Sequence, residues 1–305
     1  MLLHFIKSML EYIRNYFEII KHYEEEVDVL KTTDINELKK IANSVRKSII
    51  EEVYEAKSGH PGGALSIADI LTVLYFNQMN INPENAKSNL RDRLVLSKGH
   101  AVAALYAVLA ERGFFAKSEL KTFRKLNSNL QGHPDMEKTI GVDMSTGSLG
   151  QGLSVANGMA LASKMNNLGC RIYCVLGDGE IEEGQIWEAA MTSNKYKLDN
   201  LCVILYYNGL QIDGTVEEVK GLDCLRSKWE AFGFNVISCD GNDIEMLVDA
   251  FEKAKQTKGM PSIIIAKTIK GKGISFMENK VEWHGKAPSE EEYIQALQDL
   301  QKNCF

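Results

Sequence analysis

Apolar positions along this chain follow two alternating rhythms. From Asp34 onward they recur at Leu38, Ile41, Val45, Ile49 and Val53, the spacing of one helix face. Asp34 followed by Glu37 predicts a capping box at the start of that helix, and Ser58-Gly59-His60-Pro61-Gly62-Gly63 ends it. A second apolar helix is expected from about Leu65 to Phe76. Short, almost uninterrupted apolar runs then alternate with helical stretches. Residues 93–97, 172–176, 201–205, 234–238 and 262–266 read as strands. Residues 101–112, 153–166, 182–196, 244–255 and a stretch capped by Ser289 and Glu292 read as helices, while 125–150 is loop-rich. Strands apolar on both faces and separated by helices predict an α/β fold, a doubly wound, mainly parallel sheet with helices on both faces. No repeat or linker interrupts this pattern, so residues 34–305 are expected to form one domain. Residues 1–33 read as an amphipathic helical extension, ending near Glu24-Glu25-Glu26 and packed on this domain or on a partner.

Composition narrows the class without naming a function. With 305 residues, 45% apolar and 25% charged, the chain has the make-up of a globular protein with a sizeable core. A net charge of −6 gives no reason to expect nucleic-acid or membrane binding. No apolar stretch approaches the roughly 20 residues of a membrane-spanning helix. At the start, Glu11 and Arg14 interrupt an apolar run too short for a signal peptide, so a cytoplasmic protein is expected. Cys170, Cys174, Cys202, Cys224, Cys239 and Cys304 show no Cys-x-x-Cys spacing and read as reduced, mostly buried thiols.

Chemistry enters at two turns. Gly177-Asp178-Gly179-Glu180 follows one apolar strand, and Asn208-Gly209-Leu210 follows the next. Both belong at the carboxyl edge of a parallel sheet, where such sheets bind ligands. Asp178, the Asn208 amide oxygen and a nearby main-chain carbonyl would make a hard, all-oxygen partial shell suited to Mg²⁺, with phosphate oxygens completing it. Glycines beside Asp178 let a diphosphate approach the main chain, and a helix starting just afterwards would favour the anion. Four histidines, His60, His100, His133 and His284, each sit in a Gly- or Pro-flanked turn, which points to convergence on one polar site. None has the spacing of a helical zinc pair. Glu180, Glu182, Glu183 and Glu188 crowd the stretch after Asp178 and are either solvated or held at a subunit contact. Lys267, at a strand end before Lys270-Gly271-Lys272-Gly273, is either an exposed turn residue or a contact to the diphosphate or substrate.

Taken in order, SGHPGG, SKGH, GHP, TGSLGQG, GDGEIEEGQIWEAA, YNGLQIDG, KTIKGKG and HG resemble the N-terminal, diphosphate-binding half of transketolases, over residues from about 35 to 302. The resemblance implies a thiamine diphosphate (ThDP) enzyme that moves a two-carbon ketol unit from a ketose phosphate to an aldose phosphate. Asp178, Asn208 and the Leu210 carbonyl would ligate Mg²⁺. His100, Gly177, Gly179, Glu180 and Lys267 would lie on the diphosphate side, and Gly147, Ser148 and Leu149 at the aminopyrimidine end. His60, His133 and His284 would line the substrate channel. Glu183 would hydrogen-bond, across a subunit interface, to the glutamate that activates the coenzyme, with Glu188 in the same network. Full-length transketolases are much longer, and their second half supplies that glutamate. The chain therefore resembles one half of a split transketolase that works with a separate C-terminal subunit, two of each, on sugar phosphates. Alternatives are a split transketolase for a branched, deoxy or sulfonated ketose, the α-type subunit of another ThDP enzyme, and an orphan ThDP-binding subunit.

Overall fold

The computed structural model describes residues 31–302. The expected extension over 1–33 therefore lies outside the described residues, except for Lys31–Thr33, where the Thr32 amide donates to the Phe76 carbonyl at 2.8 Å.

Helix α1 spans Ile35–Ala56. Its predicted stripe is its buried face, with Leu38, Val45, Ile49 and Val53 fully enclosed. Each fully buried side chain of this size is worth about 1.5–3 kcal/mol. Asp34 caps the helix by accepting from the Asn36 amide at 2.8 Å. The reciprocal half of the capping box is missing: Glu37 takes the Thr32 hydroxyl, and the Asp34 amide turns to Thr32 Oγ1 at 3.2 Å.

The helix expected over 65–76 is broken. Helix α2 runs Pro61–Ser66 and α3 Ala68–Val73, followed by a wide π turn at Leu74–Gln78. Ser66 supplies the physical reason, since its hydroxyl lies 2.8 Å from the Gly62 carbonyl and 3.2 Å from that of Ile269. A hydroxyl bonded to the i−4 carbonyl bends a helix. Pro61 starts α2 early because its fixed φ suits a first helical position.

Among the described residues five parallel strands form the sheet: β1 Arg93–Leu96, β2 Ile172–Gly177, β3 Leu201–Tyr207, β4 Asn235–Asp240 and β5 Ser262–Lys267. Their spatial order is β1-β2-β3-β5-β4. Alternate residues feed two cores. Tyr173, Val175, Cys202, Ile204 and Ile264 pack with α1–α3 and with α4, Val102–Glu111. Cys174, Leu176, Val203, Leu205 and Ile263 pack with α5, Gly152–Met165, and α6, Gly184–Lys195. This is the doubly wound arrangement that the apolar runs predict.

Helix α6 begins later than the pattern suggests, because Gly179–Glu182 form a 3-10 turn first. Helices α7, Val216–Val219, and α8, Leu225–Ala231, have too few turns to show a periodicity, though Trp229 of α8 is fully buried. Helix α9, Ile244–Gln256, and α10, Glu290–Lys302, complete the fold. The α10 capping box is complete: the Ser289 amide meets Glu292 Oε2 at 2.8 Å, and the Glu292 amide meets Ser289 Oγ at 3.2 Å. Among the described residues no helix is long and apolar enough to cross a membrane. Cys170, Cys174, Cys202 and Cys239 are buried free thiols, and Cys224 is exposed.

Candidate active site

The carboxyl ends of β1, β2, β3 and β5 deliver Lys98, Asp178, Asn208 and Lys270 to one edge of the sheet. Asp178 is 2% exposed. Its Oδ1 accepts from the Gly179 amide at 3.0 Å, and its Oδ2 from the amides of Asn208 at 2.9 Å and Gly209 at 2.7 Å. Burial pushes this carboxyl above the usual aspartate range, and the three amides and Lys98 pull it back. The Asn208 side-chain oxygen accepts from the Leu210 amide at 2.9 Å, while its buried Nδ2 has no hydrogen-bond partner among the described residues. One buried carboxylate beside an amide oxygen and a turn carbonyl is a donor set that fits a hard divalent cation, which would also repay the burial of the charge.

Two enclosed ammonium groups flank that corner. Lys98 Nζ lies 3.4 Å from the Gly63 carbonyl and 3.3 Å from the centroid of the Tyr206 ring. Burial pushes Lys98 well below the usual lysine range, against the opposing pull of Asp178 and Glu180. Lys270 Nζ lies 3.3 Å from His284 Nδ1, and burial lowers its pKa to about 8. Among the described residues neither lysine has a carboxylate at ion-pair distance. Buried cations without a counterion are unfavourable, so the pair fits an anionic group such as a diphosphate.

Three of the histidines gather beside the lysines. The His60 and His100 rings are 5.1 Å apart between centroids, His60 and His284 5.6 Å, and His100 and His284 5.3 Å. Burial lowers all three, His60 to about 4, His100 to about 2 and His284 to about 3, with Lys98 or Lys270 adding to the effect. They are therefore neutral imidazoles at pH 7, able to donate and accept rather than to carry charge. A charged Lys270 has no acceptor, so it donates to His284 Nδ1 and leaves the ring proton on Nε2. His60 Nδ1 is buried without a hydrogen-bond partner among the described residues. His133 stands at the exposed rim, with its ring 3.2 Å from where a Cβ on Gly147 would be. Arg124 ties two of the histidine turns together by donating to Ser58 Oγ at 3.0 Å and to the Gly132 carbonyl at 3.2 Å.

Other predicted residues fall elsewhere. Gly147, Ser148 and Leu149 form an exposed tip at the edge of this site, and Glu183 and Glu188 are exposed at the start and on the outer face of α6. Lys267 does not join the cluster. It is exposed and lines a separate cavity of about 1100 Å³ with Asp240, Asn242 and Lys272, because β5 ends at Lys267 and the chain runs three residues further before Lys270 turns inward. Glu180 is also turned away. Both of its oxygens accept from its own chain, from the Ser97 hydroxyl and the amides of Gly150 and Gly177. The late start of α6 leaves a 3-10 turn, not the first turn of a long helix, after Asp178. Lys98, Lys270 and Arg124 are the residues that motif reading passes over. Lys98 and Lys270 lie inside glycine-bearing words and Arg124 eight residues before Gly132, with no periodicity to show that they point inward.

Comparison with known proteins identifies the family. Residues 37–303 match the family "Transketolase, thiamine diphosphate binding domain". The chain is 48% identical to the 6-deoxy-6-sulfo-D-fructose transketolase subunit SqwG of Clostridium sp. (strain MSTE9), over 86% of this chain and 95% of that protein. It is 45% identical to one of the subunits of an apulose-4-phosphate transketolase in Phocaeicola vulgatus, covering 84% of this chain and 90% of the relative. Human transketolase is 44% identical over 86% of this chain, which spans only 42% of the human protein. Among solved structures, the transketolase of Campylobacter jejuni superposes with a TM-score of 0.81 at 37% identity, over 87% of this chain and 42% of that one. The chain thus belongs to the transketolase family, as an N-terminal-type, thiamine diphosphate-binding subunit.

Proposed function

We propose that this chain works with a separate C-terminal-type subunit, two copies of each, to move a two-carbon ketol unit between sugar phosphates, using ThDP and Mg²⁺. The carrying observation is the convergence of Asp178, Lys98, Lys270 and the three histidines on one sheet edge. Bound ThDP supplies the electron sink for the two-carbon fragment. Around it, Asp178, the Asn208 amide oxygen and the Leu210 carbonyl hold Mg²⁺, Lys98 and Lys270 neutralise the diphosphate, and His100 orients it as a neutral hydrogen-bond donor. His60, His133 and His284 grip sugar hydroxyls and move protons as neutral imidazoles. Gly147–Leu149, Glu183 and Glu188 are exposed in this chain, which fits contacts completed by other subunits. Relatives of nearly this length are themselves named as transketolase subunits, which supports a two-chain enzyme.

A second reading concerns the substrate. Two relatives spanned over most of their length are named for 6-deoxy-6-sulfo-D-fructose and apulose-4-phosphate, which favours an unusual ketose. The test is ketol transfer from xylulose 5-phosphate to ribose 5-phosphate with ThDP and Mg²⁺, run with this chain alone and with a co-expressed partner. Activity with both chains only supports the common-sugar reading. ThDP binding by the pair without turnover moves the search to sulfonated and branched ketoses, and activity of this chain alone refutes the two-chain reading.

A further inference from the structure

We propose that Glu180 is a positioning residue, which locks the exposed Gly147–Leu149 tip against the ends of β1 and β2 so that the coenzyme site is preformed. The inference rests on the ThDP site described under Proposed function. Glu180 is 3% exposed. Its Oε1 accepts from the Ser97 hydroxyl and from the Gly150 amide at 3.0 Å, and its Oε2 from the Gly177 amide at 3.1 Å. Ser97 Oγ in turn accepts from the Gly152 amide at 3.1 Å. One carboxylate thus joins the end of β1, the loop into α5 and the end of β2.

The other side of the tip is pinned by Thr146, whose hydroxyl donates to the Leu96 carbonyl at 2.7 Å. Gly147–Leu149 is therefore held between two anchors on strand ends. The flanking glycines serve this clamp. Gly150 has φ +86°, and a Cβ there would lie 2.8 Å from Glu183 Cβ. A Cβ on Gly152 would lie 2.3 Å from Ser97 Oγ. Gly150 thus lets the loop pass Glu183 at the start of α6, and Gly152 lets it close on Ser97.

Three donors converge on two oxygens, which only an ionised carboxylate accepts throughout. Glutamine is nearly the same size but offers one oxygen, and its NH₂ must face one of the donors. Glu180→Gln and Ser97→Ala are compared with the unaltered chain, each reconstituted with its partner, well below the melting midpoint of each. The readouts are ThDP affinity at saturating Mg²⁺ and amide hydrogen exchange across 146–152. Glu180→Gln is expected to weaken ThDP about 10–100-fold, the usual effect of losing a residue that orients ligand-binding groups, and to speed exchange in that segment. Ser97→Ala is expected to shift both in the same direction, with affinity falling about 3-fold or more, as for one lost hydrogen bond. A merely structural glutamate would lower the melting midpoint and leave both readouts of the folded protein unchanged, and that result overturns the proposal. Should Glu180→Gln fail to fold, Ser97→Ala decides by the same two readouts. If the unaltered complex itself binds no ThDP, the functional reading fails instead. The exchange rates across 146–152 then still judge the clamp.

Discussion

Replacing Asp178 is the sharpest test of the metal corner, and the substitution must be chosen with its hydrogen bonds in view. Alanine would strand three amides, those of Gly179, Asn208 and Gly209. A buried donor left unpaired costs about 1–3 kcal/mol, so the sum is a large share of the roughly 5–15 kcal/mol that holds a domain together. Lost coenzyme binding in that variant would not distinguish a missing ligand from a collapsed turn. Asparagine separates the two. Its oxygen keeps the Asn208 and Gly209 amides, at 2.9 and 2.7 Å in the parent, and gives up only the Gly179 amide at 3.0 Å. The lost bond costs about 1.5–3 kcal/mol, offset by no longer burying a charge whose pKa burial already raises. The melting midpoint without coenzyme should therefore move by only a few degrees. Mg²⁺-dependent ThDP binding should weaken by about 100-fold or more, roughly 2.7 kcal/mol, because the one anionic ligand is gone. Calorimetric titration of ThDP at several Mg²⁺ concentrations, beside a thermal melt, reads both quantities. A folded Asp178→Asn variant with parental affinity and parental Mg²⁺ dependence would refute the metal assignment.

Three further outcomes follow from the same contacts. ThDP affinity should fall as pH rises from about 8, as the Lys270 ammonium that holds the anion loses its proton; Lys270→Met should bind more weakly at pH 7 and lack that fall, and a parallel pH dependence in both proteins would exclude Lys270. His60→Ala and His284→Ala should depress kcat/KM more than ThDP affinity, and the parent should show no rate limb near pH 6.5, since these rings titrate near 4 and 3; unchanged kinetics in both variants removes them from the channel. Glu52 on α1 is fully buried with neither carboxyl oxygen partnered among the described residues, and burial raises its pKa, so the folded state binds more protons and stability falls as pH rises above the unfolded glutamate value near 4.5. Glu52→Leu should then be about 1–3 kcal/mol more stable at pH 8 and flatten that fall, and melts showing no gain would mean that Glu52 has a partner in the assembly.

What the chain disclosed by pattern and what it withheld divide along a physical line. A buried strand needs apolar residues on both faces, so β2, β3 and β5 show in the sequence as uninterrupted runs, and the parallel sheet follows. A helix start is a local matter of two side chains and their nearest amides. Ser289 and Glu292 complete theirs, yet Glu37 meets a hydroxyl five residues upstream and leaves Asp34 alone at the cap. The break between α2 and α3 depends on a carbonyl two hundred residues away, at Ile269, which no local rule contains. The site divides in the same way. Histidines in tight turns mark element ends, and element ends of a parallel sheet meet at one edge, so His60, His100 and His284 converge for a reason visible in one dimension. Lysines carry no such mark. Lys267 and Lys270 share one basic loop, and only the path of the chain after β5 decides that the first faces solvent and the second faces His284. Glu180 is the converse case, a charge beside the metal corner whose partners are all its own protein. Its neighbour Asp178 spends both oxygens on amides too, but the two amides on its Oδ2 form the very turn that carries Asn208. The distinction between a ligand and a clamp thus lies in which backbone each carboxylate organises: Asp178 shapes the turn that would face the cation, and Glu180 fastens that turn's neighbours to the sheet behind it.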